Sequence, residues 1–327
     1  PNTTAPHFYS STSFPTDNNL DVYKVMYYDG YDVDNSGSLG ASETYTNPAE
    51  SGYETAAFTR VRGKETAVKT AILNNDNSAP TTYLTTRKYY DKEYSVIQIN
   101  KQNHLSGADV TSSAYDFANR LTKTRRDHTA TVSGSNKSYT IREDFEYDHA
   151  GRMRYRYHQI GAQKKEVLSK TSYDEMGRMK EKNLYCSNFN GTALPATQNY
   201  LQSVDYTYNI RSWLTGINNV GSCAVQGSDN LADLFSMGLE YETGSNGGTP
   251  LYNGNISTMQ WRTNINGTCG TQQLYRFAYD AANRLAAADH RTWNGSAWMD
   301  PGQYNESNIT YDLNGNLKTY TRQGLVS

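Results

Sequence analysis

The sequence predicts an all-β protein made of repeated long β-hairpins. Three observations carry this. Five stretches share the pattern Tyr-Asp-x-x-(Gly or Asn)-(Arg or Asn)-(Leu or Met), beginning at Tyr115, Tyr147, Tyr173, Tyr279 and Tyr311. Tyrosine occurs 28 times against 8 phenylalanines in a chain that is 36% hydrophobic, and a ring with one polar tip suits a sheet whose faces are partly wet. Finally, residues such as Phe145 to Tyr147 and Met153 to Tyr157 alternate aromatic with charged side chains, the period of a two-faced strand. The composition points to a thin wall more than a thick core.

Residues 1–82 form a pre-repeat β region. Asp21 to Asp29 alternates like a strand that ends in a turn. The next segment fits the calcium-loop template, with oxygen donors at Asp32, Asp34 and Ser36, glycine at Gly37, a carbonyl offered by Ser38 and a carboxylate at Glu43. Its flanks are not helical, so the paired helices of that motif are missing, and a plain acidic turn accounts for the same residues. Calcium is the one cofactor the sequence raises. Phe58 to Leu73 is a candidate strand pair.

From residue 83 to 327 the repeats take over. In the motif, Asp opens a four-residue turn by accepting from backbone amides ahead of it, and the fifth position closes the turn with positive φ. That position is Gly151, Gly177 and Gly315 in three copies and Asn119 and Asn283 in two. Glycine and asparagine tolerate positive φ best, so this substitution pattern reports backbone geometry. The predicted turns are therefore Tyr115, Asp116, Asn119 and Arg120; Tyr147, Asp148, Gly151 and Arg152; Tyr173, Asp174, Gly177 and Arg178; Tyr279, Asp280, Asn283 and Arg284; and Tyr311, Asp312 and Gly315. The arginines at one repeated turn position are expected to pair with the nearby Asp or to stack on Tyr.

Degenerate copies start at Tyr90, which has lost the glycine, and at Tyr208, which keeps only the ends; a further hairpin runs from Tyr241 to Tyr252–Ile256. Motif tyrosines at 90, 115, 147, 173, 208, 241, 279 and 311 are 25, 32, 26, 35, 33, 38 and 32 residues apart. Strand length is similar and the loops vary. The array ends inside a repeat, and with Pro1 in first place the chain reads as a piece of a larger protein.

The net charge is −2, with 31 basic against 33 acidic residues, which gives no basic surplus for nucleic acid. No stretch approaches the roughly 18 apolar residues of a spanning helix. Cys186, Cys223 and Cys269 are far apart with no Cys-x-x-Cys spacing, and read as incidental, with one disulfide between two of them as the alternative. The six histidines are scattered, and His149 occupies a variable turn position. No His-Glu-x-x-His, phosphate loop or Gly-x-Ser-x-Gly elbow is present. The chain is therefore expected not to be an enzyme.

The copies at Tyr115, Tyr147, Tyr173, Tyr279 and Tyr311 resemble the YD repeats of the bacterial RHS family, also found in animal teneurins. The resemblance covers roughly residues 83–327. It implies hairpins that coil as a strip into a hollow shell, which in bacterial members often encloses a toxic C-terminal domain. The Asp-Pro-x-Gly type of closing segment is missing from this chain, and Asp300-Pro301-Gly302 between two repeats is only an echo of it. The resemblance thus leads us to expect a secreted or bacterial surface protein whose partners are the rest of its own chain, an enclosed or displayed domain, and secretion or surface components. A cell-surface adhesin or carbohydrate-binding module, using the tyrosines as stacking surfaces, is the alternative.

Overall fold

The computed structural model describes residues 21–33, 44–73, 79–222 and 232–324. Among these residues there is no helix; every regular element is a strand. The chain forms two compact units, residues 1–166 and 167–327.

In the first unit the strands are β1 (Lys24–Tyr28), β2 (Glu65–Ala71), β3 (Tyr83–Tyr90), β4 (Val96–Gln102), β5 (Ala108–Tyr115), β6 (Leu121–Val132), β7 (Ser135–Tyr147) and β8 (Met153–Ile160). Each pairs antiparallel with the next in chain order. This is a meander, and its contacts are mostly between chain neighbours. β6 and β7 make the longest hairpin, in register from Lys123↔Asp144 to Val132↔Ser135.

The irregular segment 44–63 packs on one face of this meander and is fixed there by side chains from several strands. Buried Gln98 of β4 clamps the backbone of Thr46, accepting from its N–H at 3.0 Å and donating to its carbonyl at 2.7 Å. Glu50 receives Arg125 of β6 at 2.8 Å and Arg142 of β7 at 2.6 Å. Beneath the segment lies the apolar cluster of Tyr31, Val61, Tyr89, Tyr90 and Ile97. Tyr31 and Tyr89 rings meet at 5.1 Å. Burial raises the Tyr45 hydroxyl, at the edge of this cluster, to about 12, with the charge of Glu54 adding to it.

The second unit holds β9 (Glu166–Tyr173), β10 (Met179–Cys186), β11 (Tyr200–Tyr208), β12 (Leu214–Ile217), β13 (Phe235–Glu240), β14 (Thr258–Ile265), β15 (Thr268–Cys269), β16 (Gln273–Tyr279), β17 (Leu285–Trp293), β18 (Trp298–Met299), β19 (Glu306–Tyr311) and β20 (Leu317–Arg322). β9 to β14 pair successively, β14 continues to β16, and β16, β17, β19 and β20 complete the row. β15 and β18 are short appendages on β14 and β17. Val167, Cys186, Tyr200 and Leu274 are its most buried apolar side chains, whereas β20 is exposed along its whole length.

One local feature recurs in all the motifs but the one at Tyr241. The Tyr pairs with the residue six places on, as in Tyr115↔Leu121 and Tyr147↔Met153, and the register then skips the next residue, so Ala114 faces Lys123 and Glu146 faces Tyr155. The same skip follows Tyr90, Tyr173, Tyr208, Tyr279 and Tyr311. A bulge of this kind adds twist to the strand that leaves the turn.

The cysteine expectation needs correction. Cys186 is buried and free, and its thiol points to Asn188 Oδ1 at 3.2 Å, but Cys269 is disulfide-bonded. Spacing along the chain does not show this.

Candidate functional site: the Tyr-Asp turn border

Each Tyr-Asp turn is closed by one carboxylate. In the first full copy, Asp116 Oδ1 accepts from the amides of Ala118 at 2.9 Å and Arg120 at 3.0 Å. Asp116 Oδ2 takes the Arg120 guanidinium, Nε at 2.7 Å and Nη2 at 2.7 Å. The Asn119 amide donates to the Asp116 carbonyl at 2.9 Å, with Asn119 at φ 58°. Asp148, Asp174 and Asp280 repeat this arrangement with Arg152, Arg178 and Arg284. Gly151, Gly177 and Asn283 sit at φ 79°, 82° and 59°. In the last copy Asn316 Nδ2 replaces the guanidinium on Asp312 at 2.9 Å, and Gly315 has φ 84°.

These bonds set the electrostatics. Donation from the Arg120 amide and then its guanidinium holds the Asp116 carboxyl below the usual carboxylate range. The Arg152 and Arg284 amides do the same for Asp148 and Asp280. For Asp312 the Asn316 side chain is the largest cause. At Asp174 burial opposes the shift, and the Arg178 bonds outweigh it. Hydrogen bonds to the charged form are the common physical reason.

The tyrosines join one hairpin to the one before it. The hydroxyl of Tyr115 donates to the Val96 carbonyl at 3.0 Å, Tyr147 to Leu121 at 2.7 Å, Tyr208 to Met179 at 2.9 Å, Tyr279 to Ile256 at 2.9 Å and Tyr311 to Leu285 at 2.8 Å. Val96, Leu121, Met179 and Leu285 each end the preceding motif, six residues after its tyrosine. The motif arginine completes the joint. Arg120 lies over the Tyr147 ring at 5.1 Å, Arg178 over Tyr208 at 4.7 Å and Arg284 over Tyr311 at 4.6 Å. One guanidinium thus neutralises the Asp of its own turn and caps the ring of the next.

The degenerate copies use the same joint with other residues. Asp91 and Asn209 open turns of the same hydrogen-bond pattern. Tyr94 at φ 65° and Ser212 at φ 63° take the glycine's place. Where the arginine is lost, the Trp213 ring packs tilted against Tyr241 at 5.0 Å, and Tyr241 donates to the Leu214 carbonyl at 2.9 Å.

The turn tips themselves are bare. Phe117, Ile210 and Leu313, each directly after the opening Asp or Asn, are fully exposed at 100%, 99% and 106%. His149 is exposed at the corresponding tip. A cavity of about 330 Å³ opens beside Asp91, Glu93, Tyr115, Asp116 and Phe117, with Lys92, Ile97, Ser113 and Asn119 also in its lining.

Of the calcium-loop residues only Asp32 is described; Asp34, Ser36, Ser38 and Glu43 lie outside the described residues. Among the described residues no group of three or more His, Cys, Asp and Glu is arranged to hold a metal ion. Two histidine clusters escaped the sequence reading. His128 Nδ1 meets Asp109 Oδ1 at 2.8 Å beside Arg126, with its ring stacked on Tyr139 at 4.6 Å. His290 is buried among Trp261, Tyr275 and Tyr304, and burial lowers its pKa. Cross-strand register brings these groups together, and no local signal announces them.

No family model matches the chain, and no curated protein matches it. Among solved structures, it is similar to a chain of the TcdB2-TccC3-Cdc42 complex at 11% identity and a TM-score of 0.27, over 83% of this chain and 18% of that one. It is also similar to a porin-like protein from Bacteroides uniformis at 9% identity and a TM-score of 0.21, over 67% of this chain and 82% of that one. Scores this low carry no argument about fold or function, and the chain spans under a fifth of the length of the first of these proteins.

Proposed function

We propose that this chain is a structural wall, a run of hairpins within a larger RHS-type protein that encloses or displays a C-terminal domain. The observation that supports this reading is the repeated joint. Every described link from Tyr115 to Val96 through Tyr311 to Leu285 consolidates one hairpin on its predecessor. The motif's most regular side chains are thereby consumed in assembly. A hairpin in such an array cannot bury its faces alone, and stability comes from its neighbours. In this reading the protein is not an enzyme, is secreted or surface-borne, and has the rest of its own chain as its principal partner.

The test uses the full-length parent protein. Electron microscopy is expected to show hollow particles, with the domain that follows the repeats resisting protease until the wall is unfolded. Solid particles, or cleavage of that domain as fast as when it is free, would reject the wall.

A contact role for the border is the second reading, favoured by the bare apolar tips Phe117, Ile210 and Leu313. Binding to glycans or cell surfaces that is lost on changing these tips to Ser would support an adhesin.

A further inference from the structure

The joint at Tyr115 differs from those built on an arginine. In the motifs that begin at Tyr115, Tyr173 and Tyr279, the arginine answers the Asp of its own turn and lies over the next motif tyrosine, which is Tyr147, Tyr208 and Tyr311 in turn. The guanidinium also passes beside the positive-φ residue of that next turn. A Cβ on Gly151 would stand 3.2 Å from Arg120 Nη1, and Arg178 Nη1 donates to Ser212 Oγ at 3.2 Å. In the Tyr90 motif the residue at the arginine position is Ser95. Its hydroxyl points the same way, donating to Asn119 Oδ1 at 2.6 Å, but it carries no charge.

This copy keeps the carboxylate while it loses the cation. Asp91 Oδ1 accepts from the Ser95 amide at 2.7 Å, and among the described residues no side chain donates to this carboxylate. Elsewhere the loss of the arginine is balanced. Asn209 stands in the Asp position where Trp213 replaces the arginine, and Asn316 Nδ2 donates to Asp312 at 2.9 Å.

Between the two groups that a joint arginine would bridge lies a cavity. Asp91 and Tyr115 both line it, and its volume of about 330 Å³ falls in the range of small-molecule pockets, roughly 300–1,000 Å³. Glu54, from the segment packed on the meander, and Glu93 line it as well. Asp116 is answered by its own Arg120. Lys92, the cation of the lining, pairs with Glu93 at 3.7 Å and holds its side chain 77% exposed.

We propose that this cavity binds a guanidinium cation, that of arginine or of an arginine side chain on a partner, with Asp91 as its carboxylate and Tyr115 as its aromatic surface. The three arginine joints of the same chain show what an Asp and a Tyr in this relation hold. A planar guanidinium can bond a carboxylate through two N–H groups while stacking on a ring, and an ammonium, a compact point charge, matches that geometry less well.

The test is an NMR titration of the intact chain with L-arginine, with a capped Gly-Arg-Gly peptide and with L-lysine at matched ionic strength. A guanidinium ligand is expected to shift the amide signals of residues 91–95 and 115–119, and lysine far less. A response to the peptide alone assigns the site to a protein arginine; a response to free arginine alone assigns it to a small molecule. Asp91→Asn, which keeps the opening residue type that Asn209 already shows in such a turn, should weaken binding by on the order of tenfold. Ser95→Arg should supply the cation from within the chain, abolish binding and raise the melting temperature by on the order of 2 °C. The proposal fails if neither guanidinium ligand shifts these signals, if lysine binds equally well, or if either variant binds as the wild type does.

Discussion

The hydroxyl of Tyr147 donates to the main-chain carbonyl of Leu121 at 2.7 Å, across 26 residues of sequence. Leu121 ends the motif that Tyr115 begins, so one hairpin's first side chain satisfies the end of the hairpin before it.

Tyr147→Phe removes that donor and leaves the carbonyl short of a partner. A loss of about 1 kcal/mol is expected in urea unfolding. Tyr139→Phe, whose half-open ring stacks on His128, should change stability much less. Equal losses would remove the special role of the motif tyrosine.

Gly151 has φ 79°, and a Cβ there would approach the Arg120 guanidinium at 3.2 Å. Gly151→Val is therefore expected to cost about 1–3 kcal/mol. Gly177→Val, at φ 82°, should behave alike. Asn119→Gly keeps the conformation and should be close to neutral. Thermal melts of the three variants separate these outcomes, and similar shifts in all of them would contradict the turn geometry.

Acid should loosen the turn border. The carboxyls of Asp116, Asp148, Asp280 and Asp312 have folded pKa values below their ordinary value. Their contribution is present above the unfolded pKa near 4 and is lost as pH falls through the folded values. Melting temperature is thus expected to drop below about pH 4, and Asp148→Asn should flatten the drop. A melt that keeps rising there would count against the carboxylate-centred turn.

Cys269 is disulfide-bonded, so a reducing agent should lower the melting temperature, with a loss on the order of 2–4 kcal/mol. Cys269→Ser should reproduce the loss and abolish the effect of reductant. Cys186→Ser should leave the response to reductant intact.

Calcium added to chelator-treated protein is expected to raise the melting temperature through Asp32, Asp34, Ser36, Ser38 and Glu43, and Glu43→Gln should erase the rise. An unchanged melt in both would leave the acidic-turn reading.

Much of the fold was readable from the sequence because the motif is local. Five turns follow from Asp and a positive-φ residue three places later, and the tyrosine-rich alternation identifies the strands. The degenerate copies were harder. Nothing in Tyr94 or Ser212 advertises positive φ; the flanking strand pairs impose it. The bulge after each Leu or Met was also invisible, since a skipped residue looks like any other alternation. The bond from each tyrosine to the previous hairpin depends on which strands become neighbours, and sequence spacing does not supply that.

The joint between hairpins uses a side-chain hydroxyl and a main-chain carbonyl, and every residue has a main-chain carbonyl. A hairpin therefore needs from its predecessor little more than the same backbone path and one cationic or aromatic side chain over its tyrosine. A further hairpin of the same path can be added to the row without a new kind of interface. The length of the row is then set by how many hairpins carry the joint, not by the shape of any one of them.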